Sequence, residues 1–301
     1  MTLKSLVLAA ALLATPLSAR AQTAPVTAPE PAPFKSPKIV LIGDSTTAVQ
    51  GGWGPSFCGK HVTSFIACIN LARGGRSSGS YRSEGSWALA MYEIRSGGFS
   101  ETYVLIQFGH NDQPGKPARS TDLATEFPAN IARYVEEVRT AGGKPVLLTP
   151  LTRRQFKDGK LVDDLGPWAA AVRKVAAETQ TPLIDLHALS SAAIQAMGPV
   201  EAMTFAQSAP DPRVREAAKS GTTIEARFYE PAIPGATVPQ APAPAATPPP
   251  PQNNAAVEPM GTPKQTFDYT HLGHEGADYF AAMVAKALGD AVPALRRQLI
   301  Q

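Results

Sequence analysis

The strongest constraint on the fold is an alternation along the chain. Short apolar runs at residues 38–42, 64–71, 103–108, 145–149 and 182–186 do not alternate in polarity, and longer stretches between them repeat with a helical period. Runs of that kind suit strands buried on both faces, as in a parallel sheet. Ile131, Tyr134, Val135 and Val138 mark one helical face, and Trp168, Ala171, Val172 and Val175 another. Gly142-Gly143 is placed to close the first of these helices. A final helix is expected over about residues 275–288. Strand and helix in alternation predict an α/β architecture with helices on both sides of the sheet. Ligands of such sheets bind beyond the carboxyl ends of the strands. Three unusual polar segments fall there: Gly43-Asp44-Ser45, Gly74-Gly75-Arg76-Ser77 and Gly109-His110-Asn111-Asp112.

Two stretches fall outside this pattern. Residues 1–21 read as a secretory signal, with Lys4 ahead of an apolar run and Ala19-Arg20-Ala21 as the cleavage pattern. Export to the periplasm or the extracellular space is therefore expected. Without Lys4 and Arg20, 26 basic and 25 acidic residues remain, which argues against a nucleic-acid partner. No later segment offers the roughly 20 consecutive apolar residues of a membrane span. Residues 22–37 form a Pro/Ala-rich leader, and a second low-complexity tract at about 231–263 contains Pro248-Pro249-Pro250-Pro251. The stretch C-terminal to that tract is too short for a domain, so residues 38–301 are expected to be one domain with the tract as an insertion. In an oxidising compartment Cys58 and Cys68 are expected to bridge, the alternative being two buried thiols.

Acyl transfer needs a nucleophile, a base, a group that fixes the base, and donors for the oxyanion. Ser45 is the candidate nucleophile, His271 the base, and Asp268, three residues before it, the orienting carboxylate. The backbone N–H groups of Ser45 and Gly75 and the side-chain amide of Asn111 are the candidate oxyanion donors. Asp44 is expected to hydrogen-bond loop backbone. Gly75-x-Ser77-x-Gly79 also fits a nucleophile elbow, but that motif needs an abrupt strand-to-helix turn, and Leu71 to Gly74 intervene. His271, His274 and Asp268 lack the order of a helical metal motif, so no metal is expected.

Gly43-Asp44-Ser45-Thr46, Gly75-Arg76-Ser77, Gly109-His110-Asn111-Asp112 and Asp268-x-x-His271 resemble the four ordered blocks of the SGNH (GDSL-type) hydrolases. Gly52-Trp53-Gly54, Glu84-Gly85 and Leu148-Thr149-Pro150 narrow the resemblance to the rhamnogalacturonan acetylesterase-like branch. The resemblance implies a three-layer α/β/α sandwich of flavodoxin-like type with a five-stranded parallel sheet. It also implies a serine esterase, without metal or cofactor, that removes acetyl groups from plant cell-wall polysaccharide. The proline-rich insertion before Asp268 departs from the family pattern.

Arg76, Arg82, Arg153 and Arg154 are candidates to face a carboxylate-bearing polysaccharide, because guanidinium pairs well with carboxylate. His110 is either a structural or a substrate-contacting residue. Trp53 is a candidate for stacking on sugar, whereas Trp168 lies on an apolar helical face and reads as core. Two rivals to the pectin reading are an esterase of the same fold acting on acetylated xylan, a cell-surface glycan or a short-chain lipid, and a non-catalytic glycan-binding protein. Oligomeric state is left open.

Overall fold

The computed structural model describes residues 35–226 and 266–301. The expected signal, residues 22–34 of the leader and the insertion at 231–263 lie outside the described residues. The strands are β1 (Lys38–Gly43), β2 (Ala67–Asn70), β3 (Thr102–Gln107), β4 (Lys144–Leu148), a hairpin of β5 (Phe156–Lys157) and β6 (Lys160–Leu161), and β7 (Leu183–Ile184). Five of them form a sheet of order β2-β1-β3-β4-β7 in which every pairing is parallel. The helices are α1 (Gly54–Lys60), α2 (Ser80–Ser83), α3 (Ser86–Arg95), α4 (Glu126–Thr140), α5 (Gly166–Glu178), α6 (Leu186–Glu201), α7 (Pro212–Ala218) and a C-terminal helix, His274–Ala291.

Successive strand side chains leave the sheet on opposite faces, and here both faces are covered. Ile39, Leu41, Leu105 and Leu148 pack with Phe57 of α1, Ile194 of α6 and Phe280, Val284 and Leu288 of the C-terminal helix. Val40, Ile42, Val104, Ile106 and Leu147 pack with Met91 of α3, Ile131 and Val135 of α4, and Val172 of α5. Each such side chain contributes about 1.5–3 kcal/mol on burial, so neither layer is dispensable. The result is the three-layer α/β/α sandwich. Its strand order reverses between β1 and β3, which opens a crevice at their carboxyl ends.

The helices end where the chemistry requires it. The Gly142 N–H bonds the Arg139 carbonyl and the Gly143 N–H the Val138 carbonyl, both at 2.9 Å, with Gly142 at φ 80°. That reciprocal pattern needs a left-handed residue after the helix, which glycine adopts without strain. Cys58 of α1 and Cys68 of β2 are joined by a disulfide, tying the helix to the edge strand.

Three features differ from the sequence reading. β2 is confined to Ala67–Asn70 and is only partly buried, because it is an edge strand with one neighbour. β7 has two residues, paired with Leu147 and Leu148 of β4, because Asp185 directly after it already caps α6. The β5–β6 hairpin turns on Asp158-Gly159, both at positive φ (51° and 75°), a pair that commonly makes a two-residue hairpin turn and that the sequence reading passed over. Among the described residues, no helix is long and apolar enough to cross a membrane.

Candidate active site

Ser45 lies two residues beyond β1, half-buried, in a turn whose other members are all tied down. Asp44 Oδ1 accepts from the Thr46 N–H and the Thr46 hydroxyl, each at 2.8 Å. The Asp44 carbonyl accepts from the N–H groups of Thr47 and Ala48 at 3.2 and 3.0 Å. Gln107, closing β3, locks the turn from the next strand. Its Oε1 accepts from Thr47 Oγ1 at 2.7 Å and Trp53 Nε1 at 2.8 Å, and its Nε2 donates to Thr46 Oγ1 at 3.0 Å. Burial alone would push the Asp44 carboxyl up, but His110 and the Thr46 donors together hold it below the usual carboxylate range.

The loop after β2 reaches the same turn. The Arg73 N–H extends the sheet ladder to the Gly43 carbonyl at 3.0 Å, and a side chain at Gly74 would start 3.6 Å from Ser45 Cβ. Gly75 has φ 77°, a conformation L side chains disfavour, and it turns the chain there. The loop after β3 joins them: Asn111 Nδ2 donates to the Arg76 carbonyl at 3.1 Å, leaving its second amide hydrogen for another acceptor. Asn111 Oδ1 accepts from Arg119 Nη1 at 3.2 Å.

The segment before the C-terminal helix supplies the imidazole. Asp268 is buried; its Oδ1 accepts from the N–H groups of Thr270 and His271 at 2.8 and 2.7 Å, and its Oδ2 lies 2.8 Å from His271 Nδ1. With Nδ1 turned to the carboxylate, Nε2 is the nitrogen left for chemistry. Arg154 clasps this segment from behind. Its Nη2 donates to the carbonyls of Asp268 (3.2 Å) and His271 (2.8 Å), its Nη1 to that of Thr270 (3.2 Å), and its backbone N–H to that of Tyr269 (2.9 Å). Burial pushes the Arg154 guanidinium down to about 10, against the opposing pull of Asp268 and Tyr269. His271 reaches the Ser45 turn through Gly51: the Leu272 N–H bonds the Gly51 carbonyl at 2.8 Å, and a side chain at Gly51 would start 3.2 Å from the imidazole Cδ2.

The four loops that carry Ser45, Gly75, Asn111 and the Asp268–His271 pair are thus joined to one another through neighbouring residues at the carboxyl edge of the sheet. Arg153, Arg154 and His110, expected as substrate contacts, are buried instead. Arg153 is fully buried, with Nη1 on Asp164 Oδ2 at 2.6 Å and Nε on Thr270 Oγ1 at 3.1 Å, so it braces the loop before the C-terminal helix. Arg154 is equally buried, and Arg82 pairs with Glu137 at 2.7 Å. His110 is 1% exposed, with Nδ1 3.3 Å from Asp44 Oδ2, which resolves its two readings in favour of the structural one. Trp53 is buried and hydrogen-bonded to Gln107, so its ring has no face for sugar. Arg76 remains at the rim, but Glu84 holds its Nε at 2.7 Å and the Gly74 carbonyl its Nη1 at 2.8 Å. Ser77 is buried and exchanges backbone-to-hydroxyl bonds with Ser80, as a turn residue does. His274 opens the C-terminal helix, exposed. Among the described residues no group of three His, Cys, Asp or Glu is placed to hold a metal ion.

The sequence reading missed Gln107, Arg119 and the clasp formed by Arg154. Gln107 had a signal, since a polar residue ending a buried apolar run needs buried partners. Arg119 had none.

Residues 41–203 match the GDSL-like Lipase/Acylhydrolase family. The match ends before Asp268 and His271, whose pairing rests on the geometry above. The chain is 33% identical over 174 residues to the probable rhamnogalacturonan acetylesterase YesY of Bacillus subtilis, covering 56% of this chain and 78% of that one. It is 34% identical over 172 residues to the rhamnogalacturonan acetylesterase RhgT of the same organism, covering 54% and 71%. The crystal structure of Bacillus subtilis YxiM superposes with a TM-score of 0.54 at 21% identity over 86% of this chain and 57% of that longer one, which supports the fold. The four sequence blocks, the sandwich that brings them together and these relatives agree: the chain belongs to the GDSL-like (SGNH) lipase/acylhydrolase family, in its rhamnogalacturonan acetylesterase-like branch, and is a carboxylic ester hydrolase.

Proposed function

We propose that the protein is an exported serine acetylesterase that deacetylates plant cell-wall polysaccharide, with acetylated rhamnogalacturonan as its substrate. The observation that carries this reading is the Asp268–His271 hydrogen bond, on a segment tied to the loop after Ser45 by the Leu272-to-Gly51 bond, with the Asn111 loop bonded to the Gly75-Arg76 loop. The substrate follows the names of the relatives, and export follows the secretory signal read at residues 1–21.

In this mechanism His271 Nε2 removes the proton from Ser45 Oγ as the oxygen attacks the acetyl carbonyl. Asp268 holds Nδ1–H, so the imidazole presents the correct nitrogen and its positive charge is compensated as it forms. The oxyanion is received by the backbone N–H groups of Ser45 and Gly75 and by the spare hydrogen of Asn111 Nδ2. His271 then returns the proton to the departing sugar oxygen, leaving an acetyl-enzyme on Ser45. Water, activated by the same imidazole, releases acetate.

The test is acetate release from acetylated rhamnogalacturonan, acetylated xylan and short-chain esters, compared at equal ester concentration. The reading requires the highest kcat/KM on rhamnogalacturonan. A preference for xylan or for a lipid ester would transfer the same chemistry to another substrate.

A further inference from the structure

We infer that Arg119 is a positioning residue for the oxyanion donor Asn111, fixing which way the amide faces and strengthening its N–H. The inference rests on the esterase reading above. An asparagine side chain can exchange its oxygen and nitrogen by a half-turn, and its partners decide which orientation holds. Here neither partner is ambiguous. The Arg76 carbonyl can only accept, and it lies 3.1 Å from Nδ2; the Arg119 guanidinium can only donate, and it lies 3.2 Å from Oδ1. Nδ2 is therefore directed toward the Gly74-Gly75-Arg76 loop, which carries the candidate donor Gly75. Both side chains are buried, Asn111 at 2% and Arg119 at 6% exposure, so solvent screens the contact little. A charged donor on Oδ1 draws electron density away from the amide nitrogen and makes its remaining N–H a better partner for a developing negative charge.

The intervening loop is shaped to return Arg119 to Asn111. The Thr121 N–H closes it on the Asp112 carbonyl at 3.0 Å. Ser120 Oγ donates to the Gln113 carbonyl at 2.8 Å and accepts from the Lys116 N–H at 2.9 Å. Immediately before Arg119, Ala118 sits at φ 58°, in the left-handed region that a residue with a Cβ avoids. Such a conformation persists only where the surroundings dictate it, and it recurs at functional sites.

The test is a double-mutant cycle on 4-nitrophenyl acetate, an ester too small to need a sugar site, with the full-length protein. Asn111→Ala is expected to lower kcat by about 10²–10³-fold, and Arg119→Met by about 10–100-fold with KM nearly unchanged. The double variant is expected to match Asn111→Ala within about two-fold, because the effect of Arg119 on the rate passes through that amide. Arg119→Lys should recover part of the loss. If Arg119→Met loses its cooperative melting transition, Arg119→Lys carries the same cycle. The inference is overturned if Arg119→Met stays within about two-fold of wild type, or if the two single losses multiply in the double variant. An Asn111→Ala enzyme as fast as wild type would instead remove the oxyanion role of Asn111, and this inference with it.

Discussion

Asp268 commits one carboxylate oxygen to two backbone N–H groups and the other to His271, so its orientation is set before the imidazole is counted. Asp268→Asn would keep the first oxygen as acceptor but present an amide N–H to Nδ1, favouring the wrong tautomer. A loss of kcat of about 10³–10⁴-fold is expected, with KM little changed. Asp112 is a different buried carboxylate, bonded to the Ser78 N–H, the Ser78 hydroxyl and the Thr121 hydroxyl. Burial raises it from 3.8 to about 6, against the opposing effect of those donors. A carboxyl raised in the fold keeps its proton longer there than in the open chain, so stability falls as pH rises from about 4 to about 6. Asp44, held low, acts in the opposite sense, contributing stability above about pH 4 that is lost on acidification. Melting Asp112→Asn beside wild type across this range should show the difference moving in favour of the variant as pH rises. A constant difference would mean that Asp112 ionises as freely in the fold as in the open chain. At this scale the sequence picked out the candidates Ser45, Asp268, His271 and Asn111, because each stands in a short motif, and the structure pairs Asp268 with His271. It did not show Arg153 or His110 as internal braces, since whether a charged loop residue turns inward depends on partners far along the chain, such as Thr270 and Asp44.

The element that carries Asp268 and His271 is a short irregular segment, and irregular backbone keeps its shape only if its carbonyls find donors. Arg154 supplies donors to four successive carbonyls, from Asp268 to His271. Arg154→Lys removes the planar fork and leaves some of them unsatisfied, for a cost of about 2–4 kcal/mol in stability. It should also lower kcat through a looser Asp268–His271 pair. Denaturant melts together with steady-state rates would check both, and unchanged rates would show that the segment holds its shape unaided. The Cys58–Cys68 bridge lies on the α1–β2 edge, away from these loops. Cys58→Ser with Cys68→Ser should cost about 2–3 kcal/mol by loop closure and leave kcat intact. The strands and long helices were legible because burial runs through every residue of β1 and β3 and through Pro145 to Leu148 of β4. β2 and β7 were over-read, since an apolar run does not show where pairing to the sheet stops and the next turn or helix cap begins.

Across the whole molecule, the five candidate site residues are separated by more than two hundred positions, and only the winding of the sheet makes neighbours of their loops. The order β2-β1-β3-β4-β7 puts the turns after β1, β2 and β3 side by side, and the last segment completes the group from beyond the C-terminal edge. Alternating strands and helices announced that sheet, while the contacts between loops could be read only from the assembled fold. On the proposed export, the mature chain recovered outside the cytoplasm should begin at Gln22, as N-terminal sequencing would show; a chain retaining Met1 would refute it. The central claim is that Ser45 is the nucleophile of this assembly. Its most direct test is to treat the full-length enzyme with a fluorophosphonate and map the modified peptide. The account predicts a single adduct on Ser45, formed in step with loss of acetate release and slowed in His271→Ala. An adduct on Ser77 or another serine that accompanies inactivation, or full acetate release from Ser45→Ala, would contradict it.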